Sequence, residues 1–304
     1  MSEKNRTSRL TALLYSEKVA PYVFILPFVL TFLIFFLYPT IYTIVMSFYR
    51  VLGSGNWEFV GLENFQRLNN RHFKSALKTS SLYTIFTILL LIPLPMMIAV
   101  FLNSKILPAK NVFRSILFIP SLVSVIVAGV AFRLLFGNTT AGFVNNMLVR
   151  FNQEPVRWML GQGTGMFIMV ILGTWRWAGV NMIYFLSGLQ SIPKELYESA
   201  EIDGAGVIRK FFSISMPILK PISIYVLTIT IYGGYSMFSE SFVFWNLSMP
   251  DNIGLTMVRY IYQEGLLRND FGMGAAIGLA LLAIVFAVNI IQLSFFGMFK
   301  GEES

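Results

Sequence analysis

Glu240 is the only acid inside any of the long apolar stretches of this sequence. It shares a helical face with Gly233 and Ser236, and Tyr235 and Phe238 lie close by. In an earlier apolar stretch Gly173, Trp177, Asn181 and Tyr184 recur at helical spacing, flanked by Trp175 and Arg176. Aromatic faces beside planar polar groups suit non-covalent binding of a polar solute, and ionisable groups at membrane depth usually face a cavity or one another. Two roles for Glu240 therefore stand side by side: acceptor for a solute, or structural ion pair with Arg176 or Arg133. Trp245, near the end of its stretch, reads first as an interfacial anchor.

Covalent chemistry has little to work with. The single histidine, His72, sits in a loop beside Arg71 and Lys74, so a Ser/His/Asp triad or a histidine metal cluster is not expected. There are no cysteines, hence no disulfides, iron–sulfur cluster or thiolate zinc site. No G-x-x-x-x-G-K-[ST] segment is present, so any nucleotide must be bound by another chain.

The elements that position these residues follow from composition. Hydrophobic residues make up 56% of the 304-residue chain and charged ones 12%, about half the charge of a soluble domain. Uncharged runs of 31, 26 and 29 residues cover 19–49, 79–104 and 271–299, where roughly 20 apolar residues suffice to cross the hydrocarbon core. With three runs interrupted by single charges, the sequence predicts an all-α integral membrane protein of six spans at about 20–48, 79–103, 112–136, 166–189, 218–245 and 272–298. They follow an N-terminal segment, 1–18, and precede a tail, 300–304. Continuous rather than alternating apolarity favours helices over a barrel. Pro27, Pro39, Pro93, Pro95 and Pro120 should kink them and leave carbonyls seeking other partners. The first span is too long for a cleavable signal peptide.

With the amino terminus inside, twelve bases fall on the cytoplasmic side, among them Lys4, Arg6, Arg9, Lys105, Lys110, Arg114 and Lys300, against nine outside, among them Arg259. The short 105–114 loop, with three bases and no acid, weighs most in this orientation, which places both termini in the cytoplasm. The net charge of +8 is scattered through loops, which suits anionic lipid headgroups rather than nucleic acid. Gly274 and Gly278 form a G-x-x-x-G pair read first as packing within the bundle.

Between the fourth and fifth spans, over 190–217, lies a loop with structure of its own. Ser191 can cap a helix whose early turn holds Pro193; Glu195, Glu198, Glu201 and Asp203 follow, and Gly204 can take a positive φ to close it. Ile208, Phe211, Phe212 and Ser215 follow helical spacing as one largely apolar side, and Pro217 precedes the next span. An apolar ridge on an ordered loop either lies on the membrane surface or docks a partner.

The series Glu198-Ser199-Ala200, three residues, Gly204, nine residues, Ile214-Ser215-Met216-Pro217 resembles the E-A-A, G, I-x-L-P signature of binding-protein-dependent ABC importer permeases. Ser199 and Met216 depart from it. Residues 59–65, Gly142 with Asn145, and 197–206 resemble the sugar-permease branch, and 47–102 and 175–262 resemble its arabino-oligosaccharide permeases. The resemblance implies a subunit that pairs with a second, homologous permease, rests on two ATP-binding subunits that hold the ATP and Mg, and receives a carbohydrate from an extracellular sugar-binding protein. It implies no cofactor in this chain and no catalytic role. Carried over, Glu195, Glu198, Ala200, Asp203, Gly204 and Pro217 would couple to the ATPase. Trp175, Arg176, Trp177, Asn181, Tyr184, Tyr235, Phe238 and Glu240 are the candidates for the substrate path. An ion-coupled secondary transporter is the competing class, although no convincing internal repeat supports it.

Overall fold

The computed structural model describes residues 16–53, 55–104, 108–246 and 250–297. Most of the 1–18 segment, the 300–304 tail, and Lys4, Arg6, Arg9, Lys105 and Lys300 of the charge count lie outside the described residues.

Among the described residues five helices are long and apolar enough to cross a membrane, and a bent pair brings the total to six. Helix α1, Ala20–Met46, has none of its most apolar window buried, so the rest of the described chain leaves that part of it uncovered. Pro27 lies inside it, where its carbonyl accepts the Thr31 hydroxyl, and a π turn at Leu33–Leu37 precedes Pro39. A hairpin that no pattern in the chain foretold comes next: β1, Tyr49–Leu52, pairs antiparallel with β2, Asn56–Phe59. The short helix α2, Glu63–Arg67, docks beneath it because Asn64, fully buried, donates to the Ser47 and Tyr49 carbonyls at 2.9 Å each.

The second span differs from the expected 79–103. Helix α3, Arg71–Leu91, starts earlier because Asn70 accepts from the Phe73 amide at 2.8 Å and caps it. After a break at Ile92 the chain resumes as α4, Pro93–Asn103. Pro95 has no N–H to give the Leu91 carbonyl, and Asn181 from the fourth span donates to it instead at 3.1 Å.

The third span is not the single rod 112–136. Helix α5, Lys110–Leu122, and helix α6, Val125–Leu135, meet at 96°. Val123 and Ser124 are extended there, just beyond Pro120. Helix α7, Phe143–Arg150, lies in the loop after it. Its Asn145 is wholly buried: Nδ2 donates to the carbonyls of Gly137, Thr139 and Val156, and Oδ1 accepts from the Val156 amide and the Trp158 indole. Asn145→Ala orphans several buried groups at once and is expected to cost about 3 kcal/mol or more. Faster limited proteolysis within 137–161 is the check, and unchanged resistance would contradict it.

Helix α8, Gln162–Gln190, is the central rod of the bundle and carries the buried residues of two core clusters. In the loop that follows lie α9, Lys194–Ile202, and α10, Val207–Lys210, the latter running into a π turn at Phe211–Ser215. The fifth span, expected as 218–245, is α11, Lys220–Tyr235, a break, and α12, Ser239–Trp245. Helix α13, Met257–Ile261, crosses outside the spans, and α14, Phe271–Phe295, ends short of the expected 298. Gly274 meets the backbone of Gly265: a Cβ added at Gly274 would fall 2.9 Å from the Gly265 Cα, so this glycine serves packing inside the bundle, whereas one added at Gly278 would meet only the Ile261 side chain at 3.9 Å.

Candidate functional site

Near the break in the fifth span the helices enclose a cavity of about 470 Å³. Helix α3 contributes Tyr83, Thr87 and Leu91, α8 contributes Arg176, Trp177 and Asn181, and Gly233, Ser236, Phe238, Ser239 and Glu240 form the wall at the break. Residues far apart along the chain thus face one space. Arg176 Nη1 lies 3.1 Å from Glu240 Oε1, with the side chains 14% and 9% exposed. The guanidinium also sits 5.7 Å from the Trp177 ring, and its Nε, buried, has no acceptor. Arg133, the other partner considered for Glu240, donates to the Val243 carbonyl instead, at 3.2 Å.

The predicted stripe divides in three dimensions. Trp177 and Asn181 reach the cavity, although the Asn181 amide nitrogen is committed to the Leu91 carbonyl. Tyr184 does not line it; its ring packs edge-on against Tyr225 at 5.2 Å. Trp175 turns toward Phe132, 5.8 Å away. On the fifth span Phe238 lines the cavity, whereas Tyr235 is buried behind it with its hydroxyl 3.0 Å from Ser81 Oγ. At 3.6 residues per turn Trp175, Arg176 and Trp177 cannot all share one direction, whereas Tyr184 keeps the direction of Trp177 but lies about 10 Å further along α8. Trp245 is no interfacial anchor: it is buried and donates from Nε1 to the Met159 carbonyl at 2.9 Å.

Tyr83, Thr87 and Thr230 also line the cavity, and hydroxyls within an apolar run were the signal that could have found them. Arg259 is the larger surprise. Counted among solvated outer bases, it is 0% exposed, with none of its guanidinium nitrogens hydrogen-bonded. Thr256 caps α13 and directs the side chain beneath Phe242 and Phe238, 4.6 and 5.9 Å from their ring centres. Burial lowers its pKa from the ordinary arginine value, with Tyr262 opposing, yet a guanidinium remains a cation. It braces from behind the ring pair of which Phe238 is cavity wall. His72 stays at the surface, Nδ1 3.0 Å from Asn252 Oδ1.

At the other candidate site, Pro193, not Ser191, stands at the N-cap of α9; Ser191 ends α8 and donates to the Gly188 carbonyl. Its far end is closed by Gly204 at φ 76°, with Gly204 N–H bonded to Glu201 O and Ala205 N–H to Ala200 O at 2.8 Å. That pair of bonds is a Schellman close, in which only glycine takes the left-handed position without strain. Tyr197 and Ser215 join the two arms of the loop through their hydroxyls at 2.8 Å, and Lys210 pairs with Glu201 at 2.6 Å. The expected ridge splits: the π turn widens the helix, so Phe211 and Ile214 pack inward on the core while Ile208 and Phe212 face out. Ile202 and Ile208, 88% and 76% exposed, flank the turn together with exposed Val207. Glu195, Glu198, Asp203 and Pro217 are exposed, and Ala200 is half-buried.

Residues 91–296 match the family described as binding-protein-dependent transport system inner membrane component. The chain is 52% identical over 290 residues to the arabinooligosaccharides transport system permease protein AraP of Bacillus subtilis (strain 168), covering 95% of this chain and 92% of that protein. Two solved structures share the fold. One is a bacterial ABC transporter involved in the import of the acidic polysaccharide alginate, at a TM-score of 0.82 and 22% identity over 96% of this chain and 99% of that one. The other is a bacterial alginate ABC transporter in complex with an alginate pentasaccharide-bound periplasmic protein, at 0.81 and 21% over 93% and 95%. The match decides against the ion-coupled secondary class. A multi-pass helical bundle with a Schellman-closed loop at the family's signature is thus what these residues build, and the chain belongs to the family of binding-protein-dependent transport system inner membrane components.

Proposed function

We propose that this chain is one of two homologous permease subunits of an ATP-driven importer, and that its solute is a carbohydrate, an oligosaccharide of the arabinose type. The observation that carries the reading is the near full-length likeness to a permease whose name states that solute class. The cavity supports it, since it sets the aromatic rings of Tyr83, Trp177, Tyr232 and Phe238 among hydroxyl, amide and charged groups.

An extracellular sugar-binding protein delivers the sugar; a solved relative in fold is seen with its periplasmic protein. Two ATP-binding subunits hold ATP and Mg beneath the bundle, each permease offering them one coupling loop. Here that contact is α9 with Glu195, Glu198 and Asp203, the Ala200–Gly204 close, and exposed Ile202, Val207 and Ile208; Pro217 starts the return to the membrane. Both termini then lie in the cytoplasm with the loop. Apolar side chains make the contact adhesive, while the Tyr197–Ser215 and Lys210–Glu201 links let the loop move as one piece. Closure of the ATP-bound pair below is passed on as displacement of α8 and α11, which both line the cavity.

The test is reconstitution in proteoliposomes of the complex purified through this chain. Uptake of an arabinose oligosaccharide is expected only with the binding protein outside and hydrolysable ATP inside. Accumulation by this chain alone, driven by an ion gradient, would overturn the reading.

A further inference from the structure

We propose that the Arg176–Glu240 pair is the charge filter of the cavity, tuning it to uncharged sugars and turning away acidic ones. This rests on the reading that the cavity lies on the solute path.

Among the described residues, Arg176 and Glu240 are the only charged side chains lining the cavity. They come from different helices, α8 and α12, and at 3.1 Å each largely cancels the other's field. Stability alone does not account for them: an ion pair at this depth is costly to desolvate, and two well-packed apolar side chains of similar volume are often as stable or more so. What the pair gives the cavity is local polarity without net charge. Arg176 keeps one buried N–H, at Nε, with no partner. The hydroxyl oxygens of Thr87, Thr230 and Ser236 line the same space and can accept from sugar hydroxyls. A sugar carboxylate fares differently. Glu240 already takes the Nη1 donor and neutralises the guanidinium, so no net positive charge is left to offset the desolvation of a second carboxylate.

Loss of one partner should therefore change which solute is preferred, not merely how tightly any solute binds. Glu240→Gln leaves Arg176 with an unneutralised positive charge, because the amide oxygen can still accept from Nη1 but carries no charge. At an effective dielectric near 20 and a separation of about 6 Å, one unit charge shifts the affinity of an anion by at least about tenfold.

The experiment measures direct binding to the complex purified through this chain and held in lipid nanodiscs, so that the selectivity of a delivering protein does not enter. The probes are a neutral pentose trisaccharide and a uronic acid trisaccharide. Wild type is expected to prefer the neutral sugar. In Glu240→Gln the acidic-to-neutral affinity ratio should rise at least about tenfold, while the double variant Arg176→Gln with Glu240→Gln should lose that gain. Should Glu240→Gln fail to assemble, the reversed pair Arg176→Glu with Glu240→Arg restores neutrality and must keep the wild-type preference; a tenfold gain for the acidic sugar in it overturns the proposal. If Glu240→Gln alters neutral-sugar affinity but leaves the ratio unmoved, the filter is wrong and the path stands. If neither sugar's binding responds to any of these variants, the path reading itself is wrong.

Discussion

Gly179→Ala should lower the melting temperature of the bundle by at least about 5 °C. Gly179 lies mid-way along α8, where α5 crosses so closely that an added Cβ would fall 1.9 Å from the Leu117 carbonyl oxygen and 2.6 Å from its carbon. Backbone cannot swing aside as a side chain can, so the two helices must part, at a cost of about 3 kcal/mol. The damage would spread, because α8 also carries Arg176 and Asn181, whose partners lie on α12 and at the α3–α4 break. Gly163→Ala in the first turn of the same helix, where nothing lies within 4 Å of the added carbon, is the control and should be neutral or slightly stabilising. Thermal unfolding in detergent, followed by loss of monodispersity, separates the two. Equal melting temperatures would mean that the α5–α8 crossing is looser than described.

Gly204→Pro is expected to cut ATP-driven uptake to less than about a tenth while leaving the bundle folded, because it removes the loop's closing bonds and nothing else. Proline holds φ near −65°, incompatible with the 76° observed, and it lacks the N–H that Gly204 gives to Glu201. With the Schellman close gone, Ala200 and Glu201 carbonyls lose their partners and Ile202 no longer sits beside Val207 and Ile208. Gly204→Ala should fall between, since a left-handed alanine costs about 1–2 kcal/mol with both hydrogen bonds kept. Uptake and ATP hydrolysis are measured together in proteoliposomes. Normal uptake by Gly204→Pro, at an unchanged melting temperature, would refute the mechanical role of this turn.

The linear order of residues determined a good deal by itself. Runs of apolar residues too long for a soluble core leave the backbone no solution but helices in lipid, so the six-span bundle followed from composition and length. Gly204 was legible for a similar reason: a local turn is governed by the φ of one residue, and glycine announces it. The match of 198–217 to a family signature was equally a matter of spacing. Tertiary structure alone decided what depends on partners distant in sequence. Pro95 gave notice that a carbonyl would be orphaned but not that Asn181 would satisfy it. Glu240 had two arginines within plausible reach, and only the 96° bend of the third span and the break in the fifth set Arg133 on Val243 and Arg176 on the acid. Trp175 had the right chemistry on the wrong side, because a helix's rotation about its axis is fixed by what packs against it, and Tyr184 had the right side but lies about two turns beyond Trp177, against Tyr225. Arg259 shows the limit most plainly: charge in a loop predicts water, and nothing in its neighbours along the chain foretold that two phenylalanine rings from another segment would close over it.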